Sequence, residues 1–337
     1  MKAFGYRHPG ALDREDALVE IELERPTPAG RDLLVEVRAV SVNPVDTKIR
    51  RRVGPEGQDW KVLGWDVAGR VVAAGPAASR FKPGDEVFYA GSVARQGANS
   101  EYHLVDERIV GHKPARLDDA HAAALPLTSI TAWEMLFERL EVRKPVPGAA
   151  NAILIIGAAG GVGSIAVQLA KAVGGLTVIA SASRPETREW VRSLGADHVV
   201  DHRQPLAPQI AALGIGQPGF VFSITATHEH VADVVELIAP QGRFGLIDDP
   251  ESLDVLGFKR KSVSVHWESM FTRSLFETPD MGRQSELLDE VSRLVDEGRL
   301  RSTLAQRLQP INVANLRQAH ALLESGRARG KVVLEGF

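Results

Sequence analysis

Residues 151–170, NAILIIGAAGGVGSIAVQLA, constrain this chain more than any other stretch. They carry no charge over a length sufficient to cross a bilayer. Four glycines, at 157, 160, 161 and 163, break the middle of the run, and glycine clusters mark turns rather than membrane helices. The run therefore reads as a strand (152–157), a tight turn and a helix. The helix has apolar residues at 162, 165, 166, 169 and 173, a 3.6-residue stripe. Glycines let such a turn approach a pyrophosphate without Cβ clashes. The helix N-terminus then presents free N–H groups and the positive end of its dipole. The required strand precedes the turn and the required helix follows it, so Gly157, Ala158, Gly160, Gly161, Val162 and Gly163 are candidate cofactor-binding residues for a dinucleotide.

An NAD-type site places Asp or Glu about 20 residues further on, where the second strand ends, to bind the ribose hydroxyls. That position, after the strand LTVIASA (176–182), reads Ser181-Ala182-Ser183-Arg184 and holds no acid. Hydroxyls and a guanidinium suit a 2′-phosphate, since Arg offers a fixed fork of donors. Ser181, Ser183 and Arg184 thus favour NADP(H). Ser183 and Glu186 also match a capping box for a helix over 186–194 that ends at Gly195, and the two roles are compatible. Strands 198–200, FVFSIT (220–225) and RFGLID (243–248), with a helix over 229–238, continue the alternation. The pattern predicts a doubly wound parallel sheet with helices on both faces. Ligands bind at the carboxyl ends of such strands, which makes Ser223, Thr225, Ile247 and Asp248 further cofactor candidates.

The flanks have a different texture. Over the first ~115 residues, branched runs such as VEIEL (19–23), LLVEVRAVSV (33–42) and EVFYA (86–90) alternate with turn signals, among them Lys82-Pro83-Gly84-Asp85. The tail is helical over 284–297 and 313–325 and closes on KVVLE (331–335), a strand expected to return to the N-terminal β-rich region. A chain of 337 residues suggests two domains. The boundaries read as 1–125 with 268–337, and 126–267.

A net charge of −3 argues against nucleic acid as partner, because phosphate binding needs a clustered positive surface. The start, MKAFGYRHPG, lacks the apolar core of a signal peptide, so a soluble cytoplasmic protein with no membrane partner is expected. There are no cysteines, which removes thiolate nucleophiles, disulfides and Cys-based zinc sites.

Several motifs resemble the medium-chain dehydrogenase/reductase superfamily. They are Ser41-Val42-Asn43-Pro44-Val45-Asp46-Thr47-Lys48, Leu63-Gly64-Trp65-Asp66-Val67-Ala68-Gly69, Lys82-Pro83-Gly84-Asp85, Leu125-Pro126-Leu127-Thr128-Ser129-Ile130-Thr131-Ala132-Trp133, the glycine turn, and Gly330-Lys331-Val332-Val333-Leu334. The chain is most similar to the quinone oxidoreductase branch, in a subgroup labelled zinc-type alcohol dehydrogenase-like. This resemblance implies an α/β chain with a GroES-like β-rich catalytic domain and a Rossmann domain. It also implies a homodimer through the edge strand near RFGLID. The family's catalytic zinc is held by Cys and a Gly-His-Glu motif; here the match reads Gly64-Trp65-Asp66, so Trp replaces the His ligand. His198 and His202, four apart along a strand, lie over ~10 Å from each other. His228 and His230 lack His-Glu-x-x-His spacing. No metal site and no zinc are expected.

Without zinc to polarise a simple carbonyl, the resemblance implies NADPH-dependent hydride transfer to an acceptor whose conjugation spreads the incoming charge: a quinone or an α,β-unsaturated carbonyl compound. An NADPH-binding regulatory or structural protein with little catalysis, or a zinc alcohol dehydrogenase, is the alternative. By resemblance, Asn43 and Lys48 are the candidate catalytic residues beside the nicotinamide. A partly buried Lys48 would hydrogen-bond a developing enolate oxygen and donate a proton. Thr128 matches the family's threonine segment near the cofactor. Trp65, Tyr89, Trp267 and Met270 are substrate-pocket candidates, with Tyr6, Tyr102 and Phe271 weaker ones. Lys331 matches a family lysine of unassigned role.

Overall fold

The computed structural model describes residues 1–55, 57 and 59–337. The chain divides into two compact units, Met1–Ile130 with Phe271–Phe337, and Thr131–Met270.

The first unit opens with β1 (Lys2–Tyr6), β2 (Val19–Glu22), β3 (Asp32–Val42), α1 (Pro44–Arg52), β4 (Lys61–Val62), β5 (Val67–Ala74), β6 (Glu86–Tyr89), β7 (Tyr102–Asp106) and β8 (Val110–His112). β1 lies between β2 and β4 in a small antiparallel sheet. The eleven-residue β3 organises the larger sheet, pairing antiparallel with both β5 and β7. The tight turn at Lys82–Asp85 forms as its sequence requires: Gly84 adopts φ 103°, and the Asp85 carboxylate accepts from the Lys82 N–H. α2 (Asp119–Ala123) and α3 (Pro126–Trp133) follow, and the boundary between the units falls within α3.

The second unit continues with a π-helical stretch, Glu134–Arg139, that the sequence pattern did not announce. Next come β9 (Ala150–Ile156), α4 (Gly161–Ala172), β10 (Thr177–Ser181), α5 (Pro185–Ser193), β11 (His198–Val200), α6 (Leu206–Ala212), β12 (Pro218–Ser223), α7 (Thr227–Leu237), β13 (Arg243–Leu246) and β14 (Ser264–Trp267). All six strands pair parallel, in the order β11-β10-β9-β12-β13-β14. Leu154, Ile179, Val221 and Phe244 from the central strands pack with Leu206, Ile210, Val234 and Phe258. Burial on both faces explains why β9 reads as an unbroken apolar run.

Two expectations need correction here. Strand 243–246 is internal, because β14 pairs along its outer side, so the edge available for a second subunit is β14 and not RFGLID. The missed strand SVHW is short and half polar, and no alternation marked it. The cap of α5 is also shifted by one residue. Arg184 is the N-cap, its N–H donating to the Thr187 hydroxyl at 3.2 Å, and Ser183 is left outside the helix.

The tail returns to the first unit through α8 (Thr272–Leu275), α9 (Arg283–Asp296), β15 (Leu304–Leu308), α10 (Val313–Glu324) and β16 (Lys331–Glu335). β16 runs antiparallel to β3, with Val333 opposite Ser41. α10 is tied to α1 through Arg50, a fully buried guanidinium. It donates to the Gly10 carbonyl at 2.7 Å, to Nδ1 of His320 at 3.4 Å and to the Glu324 carboxylate.

Burial pushes His320 down to about 3, and the neighbouring Arg50 adds to the effect. Its folded value lies below the unfolded value of 6.5, so between these the unfolded chain binds more protons and stability falls as pH falls. Keeping His320 neutral costs about 2 kcal/mol at pH 5 relative to pH 8. Urea unfolding at the two pH values should show His320→Gln, which still accepts from Arg50, losing less stability on acidification than the parent. Identical losses would remove His320 from the acid response.

Candidate functional site

Each unit carries a separate cluster of polar and backbone groups. In the second, β9 delivers the chain to Gly157 (φ 80°), a left-handed conformation natural to glycine. The Gly157 N–H donates to the Ser181 hydroxyl at 3.0 Å, so Ser181 latches the turn to β10 and is itself buried. A Cβ on Gly163 would lie 2.5 Å from Ala158 Cα and 2.5 Å from the Gly157 carbonyl oxygen. Only glycine lets α4 begin that close to the turn. Gly160 differs, because a Cβ there would meet nothing nearer than the Gly157 oxygen at 3.5 Å. Its open side borders the first turn of α4, whose N–H groups have no acceptor within the helix. Ala158 is buried, while Gly161 and Val162 are half-buried at the start of α4. This is a cradle for an anion with space where a side chain would stand.

The carboxyl ends of the strands surround that cradle. Thr225 is exposed, and its Cγ2 would be 3.0 Å from a Cβ on Gly157. Ala226 is held at φ 52°, ψ 34°, a strained setting for a residue with a Cβ. The restraint comes from Asp248, which accepts from the Thr227 N–H at 2.9 Å and from the Thr227 hydroxyl at 2.5 Å. The buried Ser223 hydroxyl bonds Thr227 at 2.7 Å, so Ser223 and Asp248 act as a bracket for this turn. Ile247 beside them is half-buried.

At the end of β10, Ser183 and Arg184 are joined by an arginine that the motif reading missed. Arg203 donates to the Ser183 carbonyl at 3.2 Å while its Nε and Nη2 hold Asp201. Arg188 is used structurally, donating to the carbonyls of Ala182 and Val199. Arg184 pairs with Glu186 at 3.2 Å. Three guanidinia thus face two carboxylates, leaving a local positive excess beside a serine. The run Asp201-His202-Arg203 after strand 198–200 was the available signal for Arg203.

In the first unit the motif residues converge on Lys331. Its side chain is buried, 2.9 Å from the Asp66 carboxylate, and it also donates to the Asn43 side-chain oxygen and, at 3.4 Å, to the Val42 carbonyl. The Asn43 amide nitrogen donates in turn to Asp66 at 3.2 Å and to the Ser41 carbonyl at 3.2 Å. Asp66 accepts from the Leu127 N–H as well, at 3.1 Å. Asp46, at the third position of α1, accepts from the N–H groups of Asn43 and Gly64 at 2.7 and 2.8 Å. Burial raises Asp46 to about 7, opposed by those two N–H donors and by Lys331. Burial also pushes Asp66 up, and the Lys331 ammonium opposes it most strongly.

The other site expectations fare unevenly. Asn43 is buried with its amide committed, so it positions the loop into α1 and touches nothing outside. Lys48 is exposed on α1, and the partial burial expected of it is not found. Trp65 is fully buried, its indole N–H donating to the Ser92 carbonyl at 3.0 Å. Tyr89 is buried against His103, hydroxyl to Nδ1 at 3.0 Å. Both aromatics are core rather than pocket wall. Trp267 is half exposed on the edge strand β14, Met270 is buried, and the Thr128 hydroxyl donates to the carbonyl of Leu125, just before α3. Among the described residues, no group of three or more His, Cys, Asp or Glu side chains is placed to hold a metal ion.

Whole-chain relatives span both units, while the family models match residues on either side of the glycine turn. Residues 29–115 match the alcohol dehydrogenase GroES-like domain, and residues 194–334 match the zinc-binding dehydrogenase family. A zinc-type alcohol dehydrogenase-like protein of Staphylococcus aureus (strain MSSA476) is 40% identical over 336 residues, covering 99% of each chain. A quinone-oxidoreductase homolog from the chloroplast of Spinacia oleracea is 38% identical over 193 residues, covering 56% of this chain and 58% of that one. A crystal structure from Rhizobium etli CFN 42, described provisionally as a zinc-dependent alcohol dehydrogenase protein, is 66% identical. It superimposes with a TM-score of 0.99 over 100% of this chain and 98% of that one.

Two predictions follow from the geometry. Gly160→Ala should leave the melting temperature within about a degree and weaken dinucleotide binding at least tenfold, whereas Gly163→Ala should lower stability by about 1–3 kcal/mol through overpacking. Calorimetric titration and thermal melts separate the two, and equal effects on both readouts would refute the cradle. Lys331→Met should cost about 3–5 kcal/mol by leaving Asp66 buried and unpaired. Adding Asp66→Asn should recover part of that loss in urea unfolding, and a double variant no more stable than the single one would count against the pair.

Proposed function

This chain belongs to the quinone oxidoreductase branch of the medium-chain dehydrogenase/reductase superfamily, and from that premise we propose that it moves hydride from NADPH to a quinone or an α,β-unsaturated carbonyl compound without a metal. One observation carries the reading: where the family places a zinc-binding His, the indole of Trp65 fills a closed site with its N–H already bonded. The neighbouring Asp66 is neutralised by Lys331, an ammonium in the place where a cation would otherwise be wanted.

The chain fits the nucleotide. The open side of Gly160 and the first turn of α4 suit a pyrophosphate, and Ser183, Arg184 and Arg203 suit a 2′-phosphate. When bound, the cofactor supplies the hydride. The residues of the turn orient it, and the Asp248–Thr227 bracket fixes the backbone at the carboxyl ends of β12 and β13. A conjugated acceptor needs no Lewis acid of zinc strength, because its own π-system carries the incoming charge to oxygen. Lys48, accessible on α1, is the proposed donor to that oxygen.

The test is spectrophotometric. EDTA-treated protein should oxidise NADPH with a panel of quinones and enones, faster than NADH, with no gain from added zinc. Arg184→Ala combined with Arg203→Ala should cut the NADPH-over-NADH preference at least tenfold. Zinc-dependent alcohol oxidation with no turnover of either acceptor class would overturn the proposal.

A further inference from the structure

Among the described residues of the second unit, two buried side-chain atoms lack a hydrogen-bond partner: Nδ1 of His202 and Oε1 of Glu268. Glu268 immediately follows β14, and its N–H donates to the Leu246 carbonyl at 3.2 Å, which sets it at the carboxyl ends of β13 and β14. Its side chain is fully buried. Oε2 accepts from Arg139 Nε at 2.7 Å, and Oε1 accepts from nothing. A buried carboxylate oxygen without a donor bears the full desolvation penalty of that group. A donor that arrives from outside, from a ligand or an ordered water, accounts for such a group.

The partner of Glu268 is also unusual. Arg139 lies in the π-helical stretch Glu134–Arg139, a geometry that recurs at functional sites. Arg243 caps the end of that stretch, donating to the carbonyls of Leu140 and Glu141 at 2.8 and 2.9 Å. The Met135 sulfur in the same stretch would lie 2.2 Å from a Cβ on Gly245, so the π-helix is seated directly on β13. Glu268 is therefore held by a rigid frame with one oxygen left over.

The sheet order fixes which end of a dinucleotide lies there. The arginines at the ends of β10 and β11 claim the 2′-phosphate on one side of β9. A dinucleotide crossing the glycine turn must then place its nicotinamide on the other side, over β12, β13 and β14. At a strand spacing near 4.8 Å, β14 is about 14 Å from β9, within the reach of an extended dinucleotide. On the premise of the function proposed above, we infer that Glu268 is the acceptor for the carboxamide N–H of the nicotinamide, and so orients the ring that gives up hydride. The assignment makes Glu268 a specificity residue for the carboxamide.

Calorimetric titration tests this with three probes on the parent protein and on Glu268→Gln: NADP⁺, its 3-acetylpyridine analogue, which has no amide N–H, and 2′,5′-ADP, which has no nicotinamide. The parent should bind NADP⁺ at least fivefold more tightly than the analogue. The variant should lose most of that discrimination and bind 2′,5′-ADP unchanged. If Glu268→Gln folds poorly, Glu268→Asp keeps the charge near Arg139 while withdrawing the oxygen by one carbon, and serves the same comparison. Equal binding of NADP⁺ and the analogue by the parent, or unchanged discrimination in the variants, overturns the assignment of Glu268. Failure of 2′,5′-ADP to bind the parent overturns instead the NADPH reading on which it rests.

Discussion

The buried ammonium of Lys331 is the point on which the first unit turns. It joins the last strand of the chain to two loops far earlier in sequence, at Asn43 and Asp66, and it does so where water does not screen the charges. Asp66 cannot remain ionised in that interior without it, since two neutral donors alone, the Asn43 amide and the Leu127 N–H, would have to offset the desolvation of a carboxylate. The geometry also dictates the loop: Asn43 is pulled by Lys331 at its oxygen and by Asp66 at its nitrogen, which leaves one rotamer. Asp46 then takes the backbone N–H groups of Asn43 and Gly64, so α1 starts in a single register. Asn43, Asp46, Asp66 and Lys331 thus form a scaffold that fixes the start of α1.

How much of this was legible in the sequence depends on the range of the interaction. The glycine turn is a local device: strand, turn and helix sit within twenty residues, and each glycine answers a backbone need that the pattern exposes. The five parallel strands with apolar runs were equally readable. β14 was not, because SVHW is an edge strand with little apolar area, and its pairing to β13 is a tertiary event. The π-helix escaped for a similar reason. Its winding is stabilised by Arg243 and by contact with Gly245, a hundred residues away, which no local propensity encodes. Lys331 is visible as a motif residue, yet its role depends on β16 lying antiparallel to β3, a tertiary pairing.

The aromatic residues show the same limit from the other side. Trp65 and Tyr89 have the size and polarity of pocket walls, and sequence alone cannot tell a wall from a core. The structure resolves it through their polar tips. A buried indole N–H or phenol must find an acceptor, and both do so inside the first unit, at Ser92 and at His103. Burial pushes His103 down to about 4, keeping it neutral, and with Nε2 bonded to the Gln96 carbonyl its Nδ1 is free to accept from Tyr89. The network is complete, so neither ring is held in reserve for a ligand.

The zinc-type label of the relatives and the residues of this chain pull in different directions. A zinc ion needs three or four N, O or S donors at bonding distance, most of them ionised or neutral in a fixed state. A chain without cysteine, with Trp for the motif His, and with its motif carboxylate already sharing a proton-rich ammonium offers no such set at that position. Lys331 is an ion-pair partner at that position. Its charge satisfies the carboxylate that the metal site would have used, so restoring a histidine at residue 65 alone would not restore a ligand set. Under the proposed function, three linked residues, Trp65, Asp66 and Lys331, stand in place of a zinc ligand set, and this favours acceptors whose own conjugation stabilises the charge that hydride brings.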